Sequence, residues 1–285
     1  MVYTKRGFIM SYKRVLTVQD ISCFGQCSLT VALPILSVAG SETAIIPSAV
    51  LSTHTGGFKG YTFRDLTDDI PLIQNHWLKE GISFDAVYSG YLGSVKQVGI
   101  VKELFAKLSN SSTVCVVDPA MADNGKLYPA FDKEFVEEMK KLCFSSDIIL
   151  PNITEACFLT DNEYKENYDE AYIDDLISKL LAKNAKTIIL TGVGFSNDTT
   201  GVMVVENGKK NYYCHRRIPK NSHGTGDIYA SAFVGSLMKG KTVFESAKIA
   251  ANFTISCIEK TLDDPSHWYG VKFELALPEL VEMLK

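Results

Sequence analysis

The chain reads as an α/β protein of three layers: a mostly parallel, doubly wound central sheet, helices on both faces, and an antiparallel hairpin toward the C-terminus. Three observations predict this. Short β-branched runs alternate with longer helical patterns almost from end to end, as βαβ units require. Runs such as Val114-Cys115-Val116-Val117 and Thr187-Ile188-Ile189-Leu190 are apolar on both faces, as strands covered above and below must be. After residue 191 the rhythm changes to two strands joined by Asn207-Gly208, which supply the positive φ values of a tight hairpin turn.

In chain order, a β-branched strand over residues 14–19 leads to a helix over 28–39 and a second strand over 43–49. A helical pattern over 63–80 precedes the strand at 86–89, and another over 95–108 precedes the strand at 114–118. The same alternation continues with helix 133–143, strand 148–151, helices 154–159 and 171–182, and strand 187–191. The hairpin strands cover 200–206 and 209–216, followed by long helices over 227–239 and 243–260 and a short one over 277–284. No Pro/Gly/Ser-rich linker, low-complexity tract or repeat divides the chain, so one domain is expected over residues 13–285. Met10-Ser11-Tyr12 reads like a second start, and a flexible extension is expected over residues 1–12.

With 285 residues, 46% apolar and 22% charged, the chain has the material for a sizeable core. Its net charge of −4 is spread among interspersed acids and bases, with no basic face to favour nucleic acid or an anionic membrane. No stretch approaches the roughly 18–20 apolar residues that span a bilayer. The basic residues Lys5, Arg6, Lys13 and Arg14 flank too short an apolar run for a signal-peptide core. The seven cysteines are odd in number and lack a CxxC pair, which reads as reduced thiols in a cytoplasmic protein. Cys23 and Cys27 are not followed by a His or Cys pair at zinc-site spacing.

Ligands of open α/β sheets bind outside the carboxyl ends of the strands. The residues at those ends here are Asp20, Ser48, Gly90-Tyr91, Asp118-Pro119, Asn152 with Glu155, and Thr191-Gly192. Six polar, small or flexible strand ends at one edge argue for a cleft. Two glycine-rich runs compete for an anion. Residues 235–242 match the phosphate-loop pattern G-x4-GK[ST] letter for letter, but a helical pattern precedes them where that mechanism needs a strand. Gly240 suits a helix C-cap, and Thr242 with Glu245 a capping box, so this match reads as a helix–turn–helix junction. Gly224-Thr225-Gly226-Asp227 is better placed, at the start of a helix whose free N–H groups and dipole favour a developing anion. Asp227 can take the proton of an attacking hydroxyl, and the surrounding amides are expected to hold its pKa low.

That run resembles the C-terminal signature of the ribokinase-like kinases, and the likeness extends from about residue 13 to 265. Several segments resemble the pyridoxal kinases in particular: the first strand ending in Gln19, the segment 51–56 around His54, the turn Ser89-Gly90-Tyr91-Leu92-Gly93, the loop from Asp118 to Asp123 with Gly125 and Tyr128, Asn152-x-x-Glu155, and Thr191-Gly192. The resemblance implies a ribokinase-like fold and ATP-dependent phosphorylation of the 5′-hydroxymethyl group of pyridoxal, pyridoxine or pyridoxamine. It implies Asp227 as base with Gly224, Thr225 and Gly226 as anion hole, and Asp20, Ser48, His54, Tyr91 and Tyr128 around the substrate. ATP would meet Asp118, Asp123, Asn152, Thr191, Gly192, His223, Gly224 and Gly226, with Asp118 and Glu155 holding magnesium. A monovalent cation, K+ or Na+, and a homodimer also follow from the resemblance. A flap is expected near residues 53–61, where Gly56, Gly57 and Gly60 permit hinge motion.

Three positions depart from the pyridoxal kinase pattern: Asp20 stands where Ser is usual, Ala122 where Gly is usual, and His223 where a small residue or Thr is usual. A carboxylate at residue 20 leaves room for an aminopyrimidine, so hydroxymethylpyrimidine phosphorylation stays open beside the B6 vitamers. A catalytically silent vitamin-binding protein on the same scaffold is the distant alternative; the joint presence of Asp227, Asn152 and Glu155 argues against it.

Overall fold

A computed structural model describes residues 12–219 and 222–285; the extension expected over 1–12 lies, apart from Tyr12, outside the described residues. The first half of the sheet is β1 (Arg14–Ser22), β2 (Glu42–Leu51), β3 (Phe63–Asp65), β4 (Ala86–Ser89) and β5 (Val114–Val117). A two-stranded hairpin, β6 (Ala122–Asp123) and β7 (Lys126–Leu127), stands apart from it. The second half is β8 (Ile148–Ile149), β9 (Thr187–Thr191), β10 (Thr199–Glu206) and β11 (Lys209–Arg216). The nine strands lie in the order β11-β10-β9-β8-β5-β4-β1-β2-β3. The six from β9 to β2 are mutually parallel, and the sheet is completed by antiparallel pairing of β3 on β2 at one end and of the hairpin β10–β11 on β9 at the other.

Each strand sends alternate side chains to opposite faces, and the core is therefore split in two. Leu16, Val18, Val87, Val117, Ile188 and Leu190 face one layer of helices: α2 (Asp69–Lys79), α3 (Val95–Leu108), α4 (Lys133–Cys143), α5 (Ile153–Thr160) and α6 (Glu170–Ala182). Val15, Tyr88, Val116, Ile189 and Val204 face the other: α1 (Leu29–Val38), α7 (Thr225–Met238), α8 (Val243–Glu259) and α9 (Leu277–Met283). Because the chain runs from β1 outward to β2 and then returns to β4 on the far side of β1, strand order reverses between β1 and β4. That reversal opens the crevice in which such sheets bind ligands.

The predicted elements agree with these bounds except at four places, each with a local cause. The first strand does not stop at residue 19: Ile21 and Ser22 continue the pairing with β2 across a register shift, so Asp20 lies inside a bulged strand rather than in a loop. The helix predicted over 63–80 is split. Residues 63–65 pair antiparallel with β2, and the Asp65 carboxylate accepts the Thr67 N–H at 2.6 Å, forming a turn before α2 begins. The hairpin β6–β7 was absent from the sequence pattern because its strands are two residues each; it turns on Asn124 (φ 50°) and Gly125 (φ 76°). Finally, α7 begins at Thr225 with Gly224 as its N-cap, which puts Asp227 in the first turn.

Residues 235–242 form the end of α7, a turn and the start of α8. Gly240 has φ 92°, Thr242 Oγ1 accepts the Glu245 N–H, and the Glu245 carboxylate accepts the Thr242 N–H. Among the described residues no helix is long and apolar enough to cross a membrane.

Candidate active site

A cleft of about 820 Å³ runs along the carboxyl ends of the strands. The structure brings into it every residue expected to serve catalysis, substrate, nucleotide or metal except one. Ser48 does not line it: the side chain is buried inside β2 at 1% exposure, and its carbonyl accepts the Gln97 side-chain N–H at 3.0 Å.

At the α7 end, Gly224 has φ 76°, and a Cβ there would collide with the Gln26 carbonyl oxygen. Glycine is required at that position. A Cβ on Gly226 would meet no atom, so its backbone faces open cleft. Asp227 is half-buried, and its Oδ2 accepts the Ser28 N–H at 2.9 Å. Its pKa was expected to be low. Burial instead pushes it up to about 7, helped by the negative charges of Asp118 and Asp20 and opposed by the Ser28 N–H. Desolvation outweighs the Ser28 N–H because the cleft walls replace much of the carboxyl's hydration. The result is a carboxylate whose basicity is matched to neutral pH.

At the switch point, Asp20 is 4% exposed and accepts the Ser22 hydroxyl at 2.9 Å. Burial raises its pKa, against hydrogen bonds from the Ser28 and Ser22 side chains that lower it. Tyr91 lies opposite, its hydroxyl pushed up to about 12 by burial and the Asp20 charge. Tyr91 stacks at a tilt on Phe131, with ring centres 5.4 Å apart. Tyr128, on the loop after β7, is 37% exposed, and burial beside Glu155 and Asp118 raises its pKa strongly.

His54 lines the cleft but has both ring nitrogens committed. Nδ1 accepts the Gly56 N–H at 3.0 Å, so Nε2 carries the proton and donates to the Tyr269 carbonyl at 2.7 Å. Burial lowers its pKa and keeps it neutral. His54 thus ties the glycine-rich segment to the segment 267–270 rather than offering a nitrogen to a ligand. Phe58 packs on Trp268 (4.7 Å between ring centres), and His54 lies 5.3 Å from the His223 ring. The segment expected as a flap thus packs its Phe58 ring on Trp268 and Tyr269, while His54, Thr55 and Gly56 line the cleft.

Deeper along the sheet, Asn152 and Glu155 form a capping box at the start of α5. Glu155 accepts the Asn152 N–H at 2.9 Å and, through its other oxygen, the Met121 N–H at 3.1 Å, tying the loop after β5 to α5. Asn152 Nδ2 donates to the Ala122 carbonyl at 2.9 Å, securing the same loop at the position that departs to Ala. Asp118 is buried, and its carboxylate accepts the Ala120 N–H at 3.2 Å. Burial first, and then the Glu155 charge, raises the pKa of Asp118; burial, opposed by the backbone N–H groups it accepts and helped by the Asp123 charge, raises that of Glu155. A cation nearby would relieve both. Among the described residues no cluster of three or more His, Cys, Asp or Glu forms a complete metal cage. This sparse pair fits magnesium, which takes one or two carboxylates and completes its shell with phosphate oxygens and water.

Sequence reasoning missed the wall residues Cys27 and Ser28 in the β1–α1 loop, and the α8 face of Ala251, Thr254, Ile255 and Ile258. The second group carried a signal, since spacings of three, four and seven place those residues on one helical stripe. The first carried none, because only folding brings residue 28 to residue 227.

A family profile described as phosphomethylpyrimidine kinase matches residues 43–270. The pyridoxal kinase of Dictyostelium discoideum is 29% identical over 240 residues, covering 78% of this chain and 77% of its own. Among solved structures, a Bacteroides thetaiotaomicron protein assigned as a phosphomethylpyrimidine kinase, in a crystal form with pyridoxal, has a TM-score of 0.88 at 35% identity, covering 94% of this chain and 96% of that one. Pyridoxal kinase from Lactobacillus plantarum has a TM-score of 0.88 at 29% identity, covering 96% of this chain and 98% of its own. The shared fold is ribokinase-like.

Proposed function

This chain belongs to the phosphomethylpyrimidine kinase family, and from that premise we propose that it transfers the γ-phosphoryl group of ATP to the 5′-hydroxymethyl group of pyridoxal, pyridoxine and pyridoxamine. The observation that carries this reading is one cleft at the switch point holding Asp20 and Tyr91, the anion turn with Asp227, and the pair Asp118 and Glu155. Similarity to pyridoxal kinases over most of the chain supports the same chemistry.

In this reading the vitamin ring sits by Asp20, Tyr91 and Tyr128, with its hydroxymethyl toward Asp227. The Ser28 N–H holds Oδ2 of Asp227, leaving Oδ1 to accept the hydroxyl proton as the P–O bond forms. The amides of Gly224, Thr225 and Gly226 and the dipole of α7 stabilise charge on the transferring phosphoryl. Thr191, Gly192, Asn152, Asp123 and His223 line the nucleotide's path, and the α8 stripe offers the base an apolar wall. Asp118 directly, and Glu155 through water, would hold magnesium, which when bound neutralises phosphate charge. Closure of the segment 53–61 would exclude water from the reacting atoms. A monovalent cation, K+ or Na+, a homodimer and a cytoplasmic setting accompany the family resemblance.

The family description and the Asp20 carboxylate, which suits an amidine, also favour hydroxymethylpyrimidine as a substrate. Measuring kcat/KM with Mg-ATP on the three vitamers and on hydroxymethylpyrimidine tests the assignment. The vitamers are expected to be faster. A pyrimidine preference of roughly tenfold or more would reassign the substrate within the same family.

A further inference from the structure

Ser28 occupies an unusual place, resting on the Asp227 assignment above. It is the N-cap of α1, yet its backbone sits at φ 57°, ψ −131°, a conformation that glycine adopts freely and serine only under constraint. The constraint is visible. The Ser28 carbonyl accepts both the Val31 and the Ala32 N–H, at 3.0 and 2.9 Å, and residue 28 bridges antiparallel to Ile21. This conformation turns the Ser28 N–H onto Asp227 Oδ2 at 2.9 Å, and the bridge to Ile21 sets the Ser28 side chain beside Asp20, whose pKa its hydroxyl lowers. The residue is 4% exposed, and the same loop presses the Gln26 carbonyl against Gly224.

We propose that Ser28 is a positioning residue that ties the vitamin-side carboxylate Asp20 to the base Asp227, its hydroxyl serving the first and its strained backbone N–H the second. Such strain persists only where the surroundings over-determine it, and here they converge on two carboxylates of one cleft. One oxygen of Asp227 is thereby fixed and the other left toward the reacting hydroxyl. A serine rather than a glycine adds two things: a donor for Asp20, and a narrower range of backbone conformations that keeps the N–H aimed at Asp227.

Two variants separate these roles. Ser28→Ala removes the hydroxyl while remaining an L-residue in the same backbone. Ser28→Gly removes the hydroxyl and also frees the backbone. For Ser28→Ala the KM for pyridoxal is expected to rise roughly tenfold through the lost hydroxyl beside the Asp20 carboxylate, with the effect on kcat smaller and the KM for ATP within about twofold. Ser28→Gly is expected to lose a further tenfold or so in kcat, because a mobile N–H leaves the base misplaced, without any fall in Tm. The proposal is overturned by vitamin KM and kcat within about twofold of the parent in both variants, by equal kcat in the two, or by an ATP KM that rises in step with the vitamin KM, which would mark general damage. Asp227→Asn measured alongside distinguishes the failures. If it is inactive while both Ser28 variants are normal, only this proposal falls; if it turns over normally, the base assignment falls and this proposal with it.

Discussion

In an Asp227→Asn enzyme the amide oxygen can still accept the Ser28 N–H that Asp227 Oδ2 takes at 2.9 Å. The side chain keeps its place but can no longer take a proton. Loss of a general base typically costs about 10²–10⁴ in rate, or roughly 3–5 kcal/mol of transition-state stabilisation. The kcat with pyridoxal and Mg-ATP should fall by that factor with little change in either KM. Stability should move the other way. The folded pKa of Asp227 is raised from 3.8 to about 7, so the folded state binds the proton more tightly than the unfolded state does. That contribution is fully present below the unfolded value and is lost as pH rises through the folded one. Above about pH 8 the parent carries a desolvated charge whose upper-limit cost is about 4 kcal/mol, a shift of roughly three at about 1.36 kcal/mol each. The Ser28 hydrogen bond and solvent at the cleft mouth reduce this, so the ligand-free variant should be more stable by about 1–4 kcal/mol and melt roughly 2–8 °C higher. Below about pH 3 the difference should vanish, because both states then hold the proton. Steady-state kinetics and thermal melts across this range check both halves. A kcat above about a tenth of the parent's, or a lower Tm in alkali, would refute the reasoning.

Gly224→Ala forces a Cβ against the Gln26 carbonyl at a positive φ; it should cost about 2–4 kcal/mol in urea unfolding and most of the kcat. A variant as stable and active as the parent would show the turn to be tolerant. Glu155→Gln must set an amide donor against either the Asn152 or the Met121 N–H, a loss of about 1–3 kcal/mol. Magnesium titration should show a weaker requirement constant and a lower kcat; an unchanged magnesium response would remove Glu155 from the metal's surroundings. Lys241→Ala, in the helix–turn–helix junction of residues 235–242, should retain kcat within about twofold. Loss of nearly all turnover in a folded Lys241→Ala enzyme would restore the rejected phosphate loop.

Much of the fold was legible because long periodic segments are determined by their own apolar spacing. The strand at 86–89, the helices at 95–108 and 133–143 and the strand at 187–191 all appear with the bounds the pattern predicts. The failures were short or context-set. The segment 63–65 joins the sheet only because β2 offers it an edge, and β6–β7 are too brief for any periodicity. In the site, strand-end chemistry pointed to Asp118, Asn152, Glu155 and Thr191, all of which line the cleft. It also pointed to Ser48, which the pleat turns into the protein instead. His54 was found by its motif, but its hydrogen-bonding role depends on a carbonyl 215 residues away in sequence.

The sequence by itself determined the three-layer α/β class, the cleft edge, and that residues 235–242 form a helix–turn–helix junction rather than a phosphate loop after a strand. Each rests on local chemistry: apolar period, strand-end residue type, and whether a strand or a helix precedes the glycines. Only the tertiary structure decided how the acid groups behave. From the sequence, Asp227 stood among helix-end amides and should have been a weak, low-pKa base. Folded, it shares a water-poor cleft with Asp20 and Asp118, and desolvation lifts it to about 7. Desolvation and charge–charge repulsion depend on distances between residues far apart in the chain, so no local pattern encodes them. The same is true of Ser28, whose strained backbone has a purpose only once Asp227 is packed against it.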